Sequence, residues 1–386
     1  MIPVNEPKLN GNELKYVSDC ITAGWISSYG DYLERFESGW AEYCGQKYGI
    51  GVCNGTAALE LAVKVCNFPE GSEIILPSFT IISCAQAVVK NGCVPVLVDC
   101  DPKTYCIDVS QIEEKVTDRT VAIMPVHIYG HPCDMDPILK IAKKHNLVVI
   151  EDAAEAHGAE YKGKKCGSFG QLSCFSFYAN KIITTGEGGM VLTSNKTAAE
   201  RLRSYRNLCF LKSPRFLHNE MGYNYRLTNM QAAIGLAQIQ RIDKIIKDKI
   251  DIAKKYSEYL KNFPLKLPIE NNDVKNVFWM YGVLLIEGPK TKKYFDGNWI
   301  SKSPKFHVSW PSYKIINKLE KSGIETRPFF IGIHEQPVFR KMGLFKKESC
   351  PITEKIARIG FYIPSGLGIK NTEIKQVVNA FKNLFL

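Results

Sequence analysis

The sequence predicts an α/β fold: a large, mainly parallel sheet of seven strands covered by helices, followed by a smaller α+β unit. Three observations carry this. Seven apolar runs of strand length recur over the first half of the chain. Helix-like stretches lie between several of them, and such alternation is the pattern of parallel sheets with both faces covered. After a long helical pattern that ends near residue 262, the chain becomes shorter-ranged and mixed.

In chain order, helical spacing appears first, in Leu14, Val17 and Ile21, then in Leu33, Phe36, Trp40 and Tyr43. The seven runs follow: YGIGVC, EIILPS, VPVLVD, VAIMPVH, LVVIED, LSCFSFY and GGMVLTS. TAALELAVKVC and MDPILKIAKKHN read as connecting helices. A long helical pattern starts near Asn229 and runs to about Asn262. The expected division is residues 1–240 for the large unit and 241–386 for the small one. Residues 288–311 are rich in Gly, Pro, Ser and Lys and read as a polar surface insertion.

Composition narrows the class. Hydrophobic content of 45% and charged content of 23% belong to a globular protein. No apolar run reaches the roughly 20 residues of a membrane span. The opening MIPVNEPKLNGNE lacks a basic stretch followed by an apolar one, so no secretory signal is expected. The 13 cysteines are scattered, without a C-x-x-C pair. They read as free thiols of a cytoplasmic protein, with no metal site. The net charge of +11 is interleaved with acids, as in DKIIKDKIDIAKK. That is a solvated surface, not a nucleic-acid patch, and it suits attraction of a small dianionic substrate such as a nucleotide.

Ligands of such sheets bind beyond the carboxyl ends of the strands. After YGIGVC comes Asn54-Gly55-Thr56-Ala57. Asn54 reads as a helix cap; Gly55 permits a tight turn, and Thr56 and Ala57 offer N–H groups at the helix start. By itself this is an ordinary N-cap or a phosphate cradle. LVVIED ends in Asp152, a helix cap or a partner for a protonated ring nitrogen. LSCFSFY brings Ser173 and Ser176 toward the same edge, and Lys181 follows on a turn before Gly186-Glu187-Gly188-Gly189. Together, cradle, aspartate and lysine match pyridoxal 5'-phosphate: the lysine for its aldehyde, the aspartate for its ring nitrogen, the helix start for its phosphate.

The chain also resembles the DegT/DnrJ/EryC1/StrS sugar-nucleotide aminotransferases, which have the aspartate-aminotransferase (type I) fold. WISSYG, NGTAALELA, ILPSFT, PVLVDCDP, IMPVHIYGHPCDMDPI, VIEDAAEAHGA, SFYANKIITTGEGGM, GYNYRLTNMQAAIGLAQ and GIETRPFF carry the resemblance over nearly the whole chain. It implies a cytoplasmic homodimer with shared active sites. L-glutamate would give its amine to the C4 ketone of a nucleotide-linked 4-keto-6-deoxyhexose. WISS, CDMDPIL and NKIITTGEGGM are similar to the subgroup acting on GDP-4-keto-6-deoxymannose; relatives acting on UDP-sugars share most of the motifs.

The roles implied by this resemblance are as follows. Lys181 attaches the cofactor and moves the proton. Asp152 pairs with the ring nitrogen, and Glu155 sits near the ring hydroxyl. Gly55, Thr56, Ala57 and Ser176 hold the phosphate. Asn224, in GYNYR, reaches the phosphate held by the neighbouring subunit. Trp25, Ser27 and Ser28 lie near the sugar, and Arg327 and His334 near the nucleotide. One departure is Ile81, where relatives carry an aromatic ring that stacks on the cofactor; Phe79 would replace it only if the strand were repositioned. A second is the 288–311 insertion, inert or part of the nucleotide mouth, where Trp299 or Trp310 would stack on a base.

Two rivals are weighed against this. A dehydratase branch of the family carries histidine in place of Lys181. A non-catalytic binder of the cofactor would not need the full lysine, aspartate and cradle set.

Overall fold

The computed structural model describes residues 1–214, 216–295, 299 and 309–385. Seven strands form the large sheet: β1 (Tyr48–Val52), β2 (Glu73–Pro77), β3 (Val94–Val98), β4 (Thr120–Ile123), β5 (Val148–Asp152), β6 (Leu172–Ser176) and β7 (Gly189–Thr193). Each is one of the seven apolar runs. Their order across the sheet is β1-β7-β6-β5-β4-β2-β3. β2 to β6 pair in parallel, while β7 runs antiparallel to both of its neighbours. This is the mainly parallel seven-stranded sheet that the sequence predicts.

The helices of this half are α1 (Glu13–Thr22), α2 (Asp31–Tyr43), α3 (Gly55–Cys66), α4 (Ser83–Lys90), α5 (Met135–Lys144), α6 (Lys196–Tyr205) and α7 (Asn229–Ile239). Alternate residues of a strand face opposite sides of its sheet. On β6, Phe175 meets Trp40 of α2 edge-on, whereas Ser176 faces the start of α3. Those two helices therefore cover opposite faces, and both faces of the strand are buried. That is why LSCFS reads as a continuous apolar run instead of an alternating one.

The long helical pattern is two helices. α7 stops at Ile239, and α8 (Ile242–Leu260) begins after a break at Arg241, whose φ is −132°. The Arg241 guanidinium is held by Asn10, the Lys8 carbonyl and Glu13 from the N-terminal segment. The apolar periodicity continues across the break, so the pattern alone did not reveal it.

The remainder carries an antiparallel sheet of β8 (Leu265–Lys266), β9 (Tyr281–Leu285), β10 (Arg327–Pro328) and β11 (Gly360–Ile363), in the order β8-β9-β11-β10. It is packed with α8 and with α9 (Pro311–Lys321), α10 (Pro337–Lys341), α11 (Pro351–Ile359) and α12 (Asn371–Phe385). Two buried contacts tie it to the ends of β2 and β3. Asp99 caps α11, accepting from the Ile352 and Thr353 N–H groups at 2.8 Å each. His334 spans Ser78 Oγ at 2.7 Å and Glu354 Oε1 at 3.1 Å. The first residues pair here too, through Ile2 and Gly323. Among the described residues no helix is long and apolar enough to cross a membrane.

Candidate active site

Beyond the carboxyl ends of the central strands lies a cavity of about 460 Å³. Gly55, Thr56, Asp152, Glu155, Ser176 and Lys181 all line it. Residues more than 120 positions apart in the chain thus share one opening, because β1, β5 and β6 end at the same edge of the sheet.

The start of α3 is shaped by its cap. Asn54 Oδ1 accepts the Ala57 N–H at 2.8 Å. Ala57 is therefore spent on the cap, and Gly55 and Thr56 are the N–H groups that front the cavity. A side chain on Gly55 would place its Cβ 2.8 Å from Ser176 Cβ, so glycine is what lets helix start and strand end approach. Thr56 Oγ1 and Ser83 Oγ are 2.8 Å apart, which brings a second hydroxyl from α4 to the cradle.

β5 ends in two carboxylates, and the pleat sends them to opposite faces. Glu151 is fully buried, accepting from the N–H groups of Gly167, Phe169 and Gly170 at 2.6–2.8 Å. The Ser173 hydroxyl also donates to Glu151, at 3.0 Å, so Ser173 belongs to this structural network and not to the ligand edge. Asp152 faces the cavity. Its Oδ1 accepts the Ala154 N–H and its Oδ2 the Cys84 thiol, each at 3.0 Å.

Lys181 sits on the turn after β6, its N–H bonded to the Tyr178 carbonyl at 2.9 Å. The loop is pinned from α7, where Gln238 exchanges two hydrogen bonds with Thr184. Its side chain is 10% exposed, with Nζ 3.6 Å from Glu155 Oε1. Burial lowers the lysine's affinity for a proton, and the two carboxylates Glu155 and Asp152 counter it. Burial acts on Glu155 in the opposite sense and pushes its carboxyl up to about 7. Glu155 Oε2 also accepts the N–H of Tyr129, whose left-handed backbone (φ 53°) points that group at it.

Several expected residues lie elsewhere. His334 is 1% exposed and bridges Ser78 and Glu354, so it is a tie between units, not a nucleotide contact. Arg327 is on β10, bonded to Glu325. Trp25 is exposed, Ser27 offers its carbonyl to the Asn229 N–H, and Ser28 lines a separate cleft beside Glu37 and Arg206. None of these lines the cavity of its own chain, nor does Asn224, which is exposed. Phe79 is buried against Tyr105, Tyr129 and Phe329, so it does not replace the stacking ring. Ile81 itself faces the cavity. Trp310 is buried beneath the Arg358 guanidinium and is closed to a base. Trp299 packs edge-on against Phe295, on a different cavity. Residues 296–298 and 300–308 of the insertion lie outside the described residues.

Sequence reasoning missed Ser83, Cys84, Tyr178, Trp279 and Tyr362. All but Cys84 line the cavity, and Cys84 holds Asp152. Tyr178 was legible, being two residues beyond Ser176. Ser83 was legible in the same way, two residues beyond Ile81, whereas Trp279 and Tyr362 come from chain-distant elements with no local signal.

These residues fit pyridoxal phosphate. The cradle offers N–H groups and the hydroxyls of Thr56, Ser83 and Ser176 to a phosphate, and it is a space that a Cβ at Gly55 would begin to fill. A buried carboxylate stands ready for a ring nitrogen and a buried amine for an aldehyde. Among the described residues lining the cavity, Lys181 is the only lysine or arginine.

Comparison with known proteins agrees. Residues 7–382 match the DegT/DnrJ/EryC1/StrS aminotransferase family. GDP-perosamine synthase of Caulobacter vibrioides is 40% identical over 387 residues, covering 100% of this chain and 98% of the relative. GDP-perosamine synthase of Vibrio cholerae is 37% identical over 385 residues, covering 100% and 99%. Among solved structures, DesV of S. venezuelae superposes with a TM-score of 0.84 at 30% identity, covering 96% of this chain and 94% of that one.

Proposed function

Since this chain belongs to the DegT/DnrJ/EryC1/StrS aminotransferase family, we propose that it moves the amine of glutamate to the C4 ketone of GDP-4-keto-6-deoxymannose, giving GDP-perosamine. The chain is an aminotransferase whose cofactor is pyridoxal phosphate. The observation that carries the reading is the convergence of Lys181, Asp152 and the capped start of α3 on one cavity. Full-length identity of 37–40% to GDP-perosamine synthases favours this sugar and this nucleotide.

When bound, pyridoxal phosphate supplies an aldehyde for amines and a ring that accepts electrons. The residues do the rest. The N–H groups of Gly55 and Thr56, with the Ser176 and Thr56 hydroxyls, hold the phosphate at a helix start, where the dipole favours negative charge. Asp152 keeps a positive charge on the ring nitrogen. Burial loosens the hold of Lys181 on its proton, which favours its service as nucleophile and base, and it returns the proton to the sugar's C4. Glu155, near the ring hydroxyl, holds or yields a proton close to neutral pH. A histidine could not attach the cofactor, so Lys181 speaks for transamination over dehydration.

We place two copies around a shared pair of sites in the cytoplasm. Leu14, Ile21, Trp25, Ile26 and Tyr29 are all exposed apolar residues of one N-terminal segment, an apolar surface that a second copy would cover. Among the described residues lining the cavity Lys181 is the one lysine or arginine, which leaves work for a neighbour, since phosphate, glutamate and nucleotide are all anionic. Asn224 is exposed and available for that purpose.

The test is direct. Purified enzyme is given glutamate, and the cofactor's visible absorption is followed; it should bleach. GDP-4-keto-6-deoxymannose and UDP-4-keto-6-deoxyglucose are then supplied separately, and 4-amino products are sought by mass spectrometry. Faster turnover of the UDP sugar would overturn the nucleotide assignment. No spectral change with any amino donor would overturn transamination.

A further inference from the structure

Trp279, just before β9, meets the amine of Lys181 and the carbonyl of the preceding residue, Asn180. Its ring centroid is 3.7 Å from the Lys181 Nζ. Its indole N–H donates to the Asn180 carbonyl at 2.8 Å, fixing the peptide that leads into the lysine. Asn5 donates to the same carbonyl from the N-terminal segment. Trp279 is itself buried, and it lines the cavity.

We propose that Trp279 is a positioning residue for Lys181, which gives the amine a resting place on the indole face whenever it is not attached to the cofactor. The proposal rests on reading Lys181 as the reactive lysine, and it adds what holds that lysine between steps.

The need is physical. A buried ammonium has lost most of its water, which is costly unless another group takes its place. Glu155 lies at 3.6 Å, beyond ordinary hydrogen-bond reach, and Asp152 faces the same opening. The other titratable groups lining this cavity are Glu187, Tyr178 and Tyr362, with His157 on the buried side. An indole face attracts a cation through its quadrupole and has no lone pair with which to accept the proton. Trp279 thus stabilises the charged amine without competing for the proton that the amine must deliver. The N–H bond to Asn180 adds a second effect. It fixes the base of the lysine's swing, so the amine departs from and returns to one place. Neither effect follows from simple packing, which would be satisfied by a leucine.

The experiment uses enzyme stripped of cofactor. Lysines are reductively methylated over a range of pH, and the rate at Lys181 is followed by peptide mass spectrometry, with surface lysines as the internal reference. In Trp279→Leu the midpoint for Lys181 should fall by about one pH unit, a change of roughly tenfold in reactivity below the midpoint, as expected for a desolvated cation–π contact. Trp279→Phe keeps a weaker face and should lie between. If Trp279→Leu does not fold, as judged by circular dichroism, Trp279→Phe and Trp279→Met carry the test. An unchanged midpoint in the folded variants overturns the proposal. The assay needs no substrate, so its outcome is separate from the function. Borohydride reduction of the loaded enzyme, followed by peptide mapping, tests independently whether Lys181 is the attached lysine.

Discussion

The Cys84 thiol donates to Asp152 Oδ2 at 3.0 Å. Burial, and then the neighbouring carboxylate, push the thiol well up, so it stays protonated and remains a donor. Asp152 is thereby held from two sides, by a thiol from α4 and by the N–H of Ala154. The orientation of a residue assigned to the cofactor's ring nitrogen depends on a cysteine that looks, in sequence, like ordinary core. Cys84→Ala should slow the half-reaction with glutamate by about 3- to 10-fold, the scale of one modest hydrogen bond. Cys84→Ser, which keeps a donor, should recover most of it. Single-turnover absorbance measurements decide this; equal rates in all three proteins would reduce the contact to packing.

Asp152→Asn should be far more damaging. An amide cannot hold the positive ring nitrogen, so the cofactor should stay bound while the rate with glutamate collapses. An unchanged half-reaction would mean that Asp152 only caps the turn at Ala154.

Ile81 offers the cavity an aliphatic face that is 40% exposed. Ile81→Phe should add a stacking surface worth about 0.5–1.5 kcal/mol, slowing loss of the cofactor by roughly 2- to 13-fold. Dialysis against cofactor-free buffer, with absorbance as readout, measures it. Faster loss would show that the pocket has no room for a ring.

His157 is buried among Trp40, Phe175 and Phe177, and burial pushes its pKa down to about 3. In the unfolded chain histidine titrates near its ordinary 6.5. The folded value is the lower one, so its contribution is complete above pH 6.5 and is lost as pH falls from there toward 3. Urea titrations of cofactor-free protein should therefore show stability declining through that window, and His157→Phe should flatten the decline. Parallel curves for the two proteins would locate the acid sensitivity elsewhere.

Asn224 provides a test of the shared site. Lys181→Ala should keep the fold and lose turnover, and Asn224→Ala should be severely impaired. In a mixed dimer of the two, one site carries both lesions and the other carries neither. Mixing under conditions that exchange subunits should restore activity toward half per mixed dimer. Verified mixed dimers without activity, or a fully active monomer in sedimentation at assay dilution, would exclude sharing.

The sequence by itself determined the seven strands of the large sheet and the three groups that meet at their ends. Strand-length apolar runs, the Asn54 cap and the Asp152 carboxylate are encoded within a few residues of where they act. Strand ends converge because parallel strands share a direction, so topology alone brought Gly55, Asp152 and Lys181 together. What only the tertiary structure decided was which neighbours they keep. Ser173 was separated from Ser176 by the pleat and given to Glu151. His334, read as a nucleotide contact, was taken up between Ser78 and Glu354. Cys84 came to Asp152 from 68 residues away, and Trp279 to the Asn180–Lys181 turn from 99 residues beyond Asn180. Such partners are fixed by how α4 and the small unit pack against the strand ends. That packing sums over many distant contacts and leaves no periodicity or spacing in the chain for a local pattern to carry.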